Sequence, residues 1–322
     1  MPKFKNDRFI PKRISLSEEE DILSVKALLL KKIRYISNQP YKILDAPDVV
    51  FQNYTYIMDW SPDNKLAIVI NNIIYFWNIN GIIKHFKIIL DELDYIISVK
   101  WNKSSNLLAF AGNHYIKLYD FEKNKVISKI KIDFRITNIS WKNDYQFSSG
   151  SYESIIYNFN YTNGVISQLK SINNKHIGEK TFVKWNNSNI LTTYSKNNCH
   201  IINMKKTKLD VNRVVDCFCW NSKKPKLFAI GVQDFIELYD ITNNSYNEKI
   251  QTNAKLIDIY WNKYNEIISI NENNDICLWD TKNKYLLKRI NTCNLEFICS
   301  CFDTEENILI SLNSEKISFW KL

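Results

Sequence analysis

The residues able to do chemistry are few and dispersed. Four histidines, His85, His114, His176 and His200, are scattered through 322 residues and do not gather into a ligand set. All seven cysteines fall after residue 198. Cys217/Cys219 and Cys299/Cys301 occupy alternate positions of apolar runs, where two side chains share one face of a strand. Such pairs read as buried free thiols in a reducing compartment rather than as a metal site. No phosphate-cradling glycine loop, nucleophile elbow or metal-ligand spacing is found. Neither an enzyme nor a cofactor is therefore expected, and the function has to be sought in recognition.

The elements that would carry such recognition come from a repeat. An aromatic residue closes an apolar run at Trp60, Trp101, Trp141, Trp185, Trp220, Trp261 and Phe302, with spacings of 41, 40, 44, 35, 41 and 41. Each marker follows alternating apolar residues, as in Ile97-Ser-Val-Lys-Trp101 and Ile257-Asp-Ile-Tyr-Trp261, and precedes a polar turn and a second apolar run. A third run ends 18 to 20 residues after the marker, as in KLYD to Asp120, ELYD to Asp240 and CLWD to Asp280. This pattern predicts four-stranded antiparallel blades and an all-β, seven-bladed WD-repeat propeller. The fourth repeat is the weakest, with Asn203 where an aromatic is expected. The aromatic residues are blade packing and carry no functional information.

The seventh repeat stops at Leu322, directly after its third strand. Its outer strand is expected from Tyr41-Lys-Ile-Leu44, ahead of the first repeat, which would remove an exposed sheet edge. That closure by an N-terminal strand would bring Asp45 beside Glu315, 270 positions later. The organisation is then an arm over residues 1–40 and a propeller over residues 41–322.

Only six glycines and six prolines are present, so Asn, Asp and Lys must make the turns. No apolar run approaches a membrane span or a secretory signal, and a soluble protein of the nucleus and cytoplasm is expected, with no membrane partner. The net charge of +9 is concentrated at the start, where residues 1–42 hold ten Lys or Arg against five Asp or Glu. No basic stripe interleaved with aromatics is visible, so nucleic acid is not the expected partner.

In the arm, Ser17 followed by Glu18, Glu19 and Glu20 predicts a helix start, and Ile22, Leu23, Val25, Leu28, Leu29 and Ile33 form an apolar stripe over about 18–34. An isolated helix of this length is marginal in water, so it should dock either on the propeller or on a partner. Before it, Asp7-Arg8-Phe9-Ile10-Pro11-Lys12-Arg13 reads as an extended linear motif, Pro11 disfavouring helix at Ile10, or equally as a basic tail.

DRFIPKR at 7–13 resembles the C-box of the Fizzy family of anaphase-promoting-complex activators. Tyr41-KILDAPDV-Val50, Ile57-Met-Asp-Trp-Ser61, Ile74-Tyr-Phe-Trp77 and Ser148-Ser-Gly-Ser151 are similar to the family's propeller, so the resemblance covers almost the whole chain. It implies a WD-repeat activator without chemistry of its own. The C-box residues Asp7, Arg8, Phe9, Ile10, Pro11 and Arg13 would dock on the ligase, the arginine entering a groove of a tetratricopeptide-repeat subunit. The propeller would capture destruction-box degrons of substrates such as cyclins at Leu44, Asp45 and Glu315, the two carboxylates holding a degron arginine. The alternative for those carboxylates is a local pairing with Lys42 or Lys316.

Three departures from the family accompany these expectations. The sequence ends Trp320-Lys321-Leu322 instead of with the Ile-Arg dipeptide that forms a second ligase anchor. Only six residues precede the C-box, leaving little room for phosphosites. For the Lys-Glu-Asn degron, the receptor's asparagine pair falls on Lys196 and Asn198 and its arginine on Leu295, so only Asn198 matches. The competing functions are a WD-repeat scaffold unconnected to the ligase and a phosphoinositide- or nucleic-acid-binding propeller. The missing paired-arginine FRRG-type motif counts against phosphoinositide binding.

Overall fold

The computed structural model describes residues 34–46, 56–70, 73–78, 83–87, 95–173, 180–195, 199–202, 210–211, 215–242, 245–292, 297, 299–313 and 315–322. Residues 1–36 and 37–322 form two compact units, and every described strand lies in the second. The helix expected over about 18–34, apart from Arg34, and the 7–13 motif lie outside the described residues, among which every regular element is a strand.

The strands fall into seven antiparallel sheets. Leading the chain is β1 (Lys42–Asp45). Sheet 1 holds β2 (Met58–Trp60), β3 (Lys65–Ile70), β4 (Ile73–Asn78) and β5 (Ile83–Lys87). Sheet 2 holds β6 (Ser98–Trp101), β7 (Leu107–Ala111), β8 (Tyr115–Asp120) and β9 (Lys125–Lys131). Sheet 3 holds β10 (Ile136–Trp141), β11 (Gln146–Ser151), β12 (Ile155–Thr162) and β13 (Val165–Gln168), with β14 (Ile172–Asn173) as an extra partner of β12. Sheet 4 holds β15 (Phe182–Trp185), β16 (Leu191–Tyr194), β17 (Cys199–Ile202) and β18 (Asp210–Val211). Sheet 5 holds β19 (Cys217–Trp220), β20 (Leu227–Val232), β21 (Phe235–Asp240) and β22 (Ser245–Gln251). Sheet 6 holds β23 (Leu256–Trp261), β24 (Ile267–Asn271), β25 (Asp275–Asp280) and β26 (Tyr285–Asn291). Sheet 7 holds β27 (Cys299–Asp303), β28 (Ile308–Leu312) and β29 (Lys316–Lys321), completed by β1.

The turns follow from side-chain chemistry. Among the described residues twelve non-glycine residues adopt positive φ and eight of them are Asn, which tolerates the left-handed region at low cost and so serves where glycine is scarce. A second device sits directly after the marker aromatic. The Oδ1 atoms of Asn102, Asn186, Asn221 and Asn262 each accept backbone N–H bonds from the turn that follows, as at Leu107 (3.0 Å) and Ile190 (2.8 Å). Ser61 and Asp303 do the same in sheets 1 and 7. Asp120, Asp240 and Asp280, at the ends of third strands, accept from the next turn in the same way.

Neighbouring sheets meet through their first strands. Asp59 accepts from the Trp101 amide (2.8 Å), Ser98 Oγ from Ile139 N (3.1 Å), and Asn138 Oδ1 from Val183 N (3.0 Å). Lys184 Nζ donates to the Phe218 carbonyl (3.0 Å), the Trp261 amide to Cys219, and Tyr260 Oη to the Ser300 carbonyl (2.8 Å). Sheet 7 returns to sheet 1, where Phe319 packs edge-on to Trp60 (6.5 Å) and against Trp77 (4.7 Å). Buried Cys301, Phe319, Trp60, Trp77 and Trp101 belong to one apolar cluster spanning sheets 7, 1 and 2. These aromatic residues are packing, as their regular spacing implies.

Candidate functional site

The seam between sheets 7 and 1 is built by the first and last strands. β1 runs antiparallel to β29 with Lys42 opposite Phe319, Leu44 opposite Ile317 and Asp45 opposite Lys316. The amide of buried Ala46 continues the ladder, donating to the Glu315 carbonyl at 2.6 Å. Alternation along β1 then sorts its side chains. Leu44 packs against the cluster of sheets 7, 1 and 2, while Ile43 and Asp45 are exposed. On the opposing chain, Asn313 Oδ1 accepts from the amides of Glu315 (3.0 Å) and Lys316 (2.6 Å). This side-chain turn fixes the backbone on which exposed Glu315 stands.

The backbone of Asp45 therefore lies beside that of Glu315, with Lys316 as the direct cross-strand partner of Asp45. The nearby lysine alternatives are not taken up. Lys42 Nζ sits over the Trp77 ring at 4.3 Å, and among the described residues neither Asp45 nor Glu315 has an ammonium or guanidinium within 4 Å. The register sets Asp45 opposite Lys316, with Glu315 one residue further along; both carboxylates are exposed, and an exposed carboxylate suits a guanidinium through charge-assisted hydrogen bonds. Close by, burial and the Asp303 and Glu306 charges lift the Tyr41 phenol above its ordinary value, so it stays neutral. Arg8, with the rest of the 7–13 motif, and Lys196, Asn198 and Leu295 lie outside the described residues.

A polar cluster along the first strands went unnoticed in the sequence. Lys100 Nζ pairs with buried Asp59. Burial would drive the Lys100 ammonium down, but the Asp59 carboxylate outweighs it and holds the ammonium above the usual lysine value. Asp258 accepts from Tyr260 Oη and Ser300 Oγ, and burial lifts its carboxyl upward against the opposing pull of Lys184. Tyr56 and Tyr194 share a hydroxyl contact at 3.0 Å, burial raising both phenols. The available signal was charge in an apolar run just before a marker aromatic: Asp59, Lys100, Lys184 and Asp258. Asp59 pairs with Lys100, Lys184 donates to the Phe218 carbonyl, and Asp258 holds the Tyr260 and Ser300 hydroxyls, so these groups tie first strands together.

Cys217, Cys219, Cys277 and Cys301 are buried free thiols and Cys299 is a half-buried one. Burial raises the pKa of Cys277 to about 11, which keeps that thiol protonated and unreactive. Among the described residues no cluster of three or more His, Cys, Asp or Glu could hold a metal, and no helix is long and apolar enough to cross a membrane.

No protein-family model matches the chain. It is 31% identical over 218 residues to the anaphase-promoting complex subunit cdc20 of Dictyostelium discoideum, covering 63% of this chain and 43% of that protein. It is 27% identical over 210 residues to the WD repeat-containing protein slp1 of Schizosaccharomyces pombe, covering 62% and 42%. The chain thus matches less than half the length of these curated relatives. A chain in the crystal structure of the mitotic checkpoint complex superposes with a TM-score of 0.81 over 90% of this chain and 93% of that one, at 20% identity. The fold is that of a WD-repeat β-propeller.

Proposed function

Because the chain is a homologue of cdc20 and slp1, the group its motifs resemble, we propose that it is a substrate-recognition activator of the anaphase-promoting ubiquitin ligase. In this reading the seven sheets are the blades of one propeller closed by β1, and the protein performs no chemistry. The arm docks on the ligase through Asp7, Arg8, Phe9, Ile10, Pro11 and Arg13, and destruction-box degrons bind at the seam of sheets 7 and 1. Leu44 anchors that seam, and Asp45 and Glu315 receive the degron arginine. The protein works in the nucleus and cytoplasm, bridging degron-bearing substrates such as cyclins to the complex.

The observation that supports the reading is the pairing of β1 with β29, which brings the backbone of Asp45 next to that of Glu315 on an exposed seam. The test is co-purification of the tagged full chain with the anaphase-promoting complex, comparing wild type with Arg8→Ala. Ligase subunits recovered with wild type and lost with the variant support the activator role. Their absence from the wild-type sample overturns ligase association and leaves degron binding to be judged by peptide titration.

A further inference from the structure

The rim of sheet 2 carries a charge arrangement that stability does not explain. On β8 and β9, Tyr115 lies opposite Lys131 and Lys117 opposite Lys129. Residues paired this way across antiparallel strands point to the same face, so three lysines and one tyrosine form a two-by-two block. The Lys117 and Lys129 ammonium groups both approach the Tyr115 ring, at 5.7 and 5.8 Å from its centre. Further along the face, Tyr119 stacks on Phe76 of sheet 1 at 5.2 Å and is buried. Lys129 and Lys131 are exposed, and Tyr115 and Lys117 are half-buried. Among the described residues, none of the three lysines has a carboxylate within 4 Å.

Like charges directly opposed across a strand pair destabilise a sheet. Retaining them without a counter-charge points to a ligand that supplies one. Two further features define it. β9 is the outermost strand of its sheet, so its outer edge offers backbone donors and acceptors to an added strand. Lys129 and Lys131 are two residues apart on that edge, and alternate side chains of an extended peptide recur at about the same ~6.7 Å step. The face offers a single ring, Tyr115, where single-stranded nucleic acid would use a succession of rings for its bases.

We propose that this face binds an acidic segment of a partner protein, added as an extended strand along β9 with alternate Glu or Asp side chains against Lys129, Lys131 and Lys117. Tyr115 supplies apolar surface for the stems of those side chains. The surface is separate from the seam of sheets 7 and 1, and the inference does not depend on the ligase reading.

The experiment uses the full chain and three labelled probes: a Glu-Thr alternating heptapeptide, its Gln-Thr counterpart, and a ten-nucleotide oligothymidine. The variants are the triple Lys117→Gln, Lys129→Gln, Lys131→Gln and a charge-matched control, Lys223→Gln, Lys255→Gln, Lys282→Gln. The expected result is salt-sensitive binding of the Glu peptide, weakened at least tenfold by the first triple and less than twofold by the control, with the Gln peptide not bound. Equal losses in the two triples reduce the effect to net charge and overturn the proposal. Tighter binding of the oligonucleotide, lost in the same triple, overturns it in favour of nucleic acid. Relief of the opposed charges should leave the melting temperature of the first triple at or above wild type. The single variant Lys129→Glu, which creates an attractive pair with Lys117, should melt higher while losing peptide, and a lower melting temperature would refute the repulsion on which the inference rests.

Discussion

Asp45 and Glu315, 270 positions apart in the chain, are neighbours because the amide that follows Asp45 donates to the carbonyl of Glu315 at 2.6 Å. Their proximity is a consequence of strand pairing and does not require the two carboxylates to attract one another or to share a ligand. Both carboxylates stand on hydrogen-bonded backbone, so a cationic partner that used them would leave little backbone ordering to be paid on binding.

Charge reversal at either site, Asp45→Lys or Glu315→Lys, should weaken a destruction-box peptide by about 2 kcal/mol, the low end of the ~2–5 kcal/mol range for paired charges because both carboxylates are exposed. Fluorescence anisotropy with arginine and citrulline versions of the peptide gives the coupling directly. The citrulline penalty should shrink in the double variant, and an unchanged affinity there would remove the pair from the site.

Lys100→Met should destabilise the fold by about 2–3 kcal/mol, because Asp59 is left buried with only the Trp101 amide and other backbone contacts for compensation. A fully buried pair would lose ~3–5 kcal/mol, but the Lys100 side chain is 43% exposed and part of its attraction is screened. Adding Asp59→Asn should recover most of the loss in urea titrations, since the uncompensated charge goes with it.

Asp258 sets a pH dependence of definite sign. Burial lifts its carboxyl above the ordinary value, so the folded protein holds that proton more tightly than the unfolded chain. The group's favourable contribution is full below the ordinary carboxylate pKa and is lost as pH rises through the raised folded value. Asp258→Asn removes the titration, so the melting temperature of the variant relative to wild type should increase between pH 4 and pH 7. The opposite trend would mean that Lys184 and the Tyr260 and Ser300 hydroxyls outweigh burial.

Gly150→Ala should cost about 3 kcal/mol, the upper range for overpacking. A Cβ there would lie 1.9 Å from the Thr181 carbonyl oxygen and 2.5 Å from Thr137 Oγ1, the two partners of a bond joining sheets 3 and 4. Thermal unfolding measures the loss, and a neutral result would show that the two sheets can separate without cost.

The forty-residue aromatic period, the alternation before each marker and the missing outer strand of the last repeat made the four-stranded sheets and the β1–β29 pairing legible in advance. Each is a local pattern repeated, and repetition lets a weak local signal accumulate. The turn role of the residue after the marker was equally present in the recurring Trp-Asn pairs, but its meaning needed the hydrogen bonds. Ser148-Ser-Gly-Ser151 was noted only as a family likeness, and the reason for Gly150 emerges from the approach of Thr181, thirty-one positions later.

By itself the sequence determined the strand class, the forty-residue repeat and the aromatic that ends the first strand of six sheets, because these depend on side-chain period and turn chemistry within about forty residues. Only the tertiary structure decided which distant charges meet. Asp59 reaches Lys100, Lys117 opposes Lys129, and the backbone of Asp45 lies beside that of Glu315. Electrostatic energy depends on distance and burial in three dimensions, and the linear spacing of residues fixes neither.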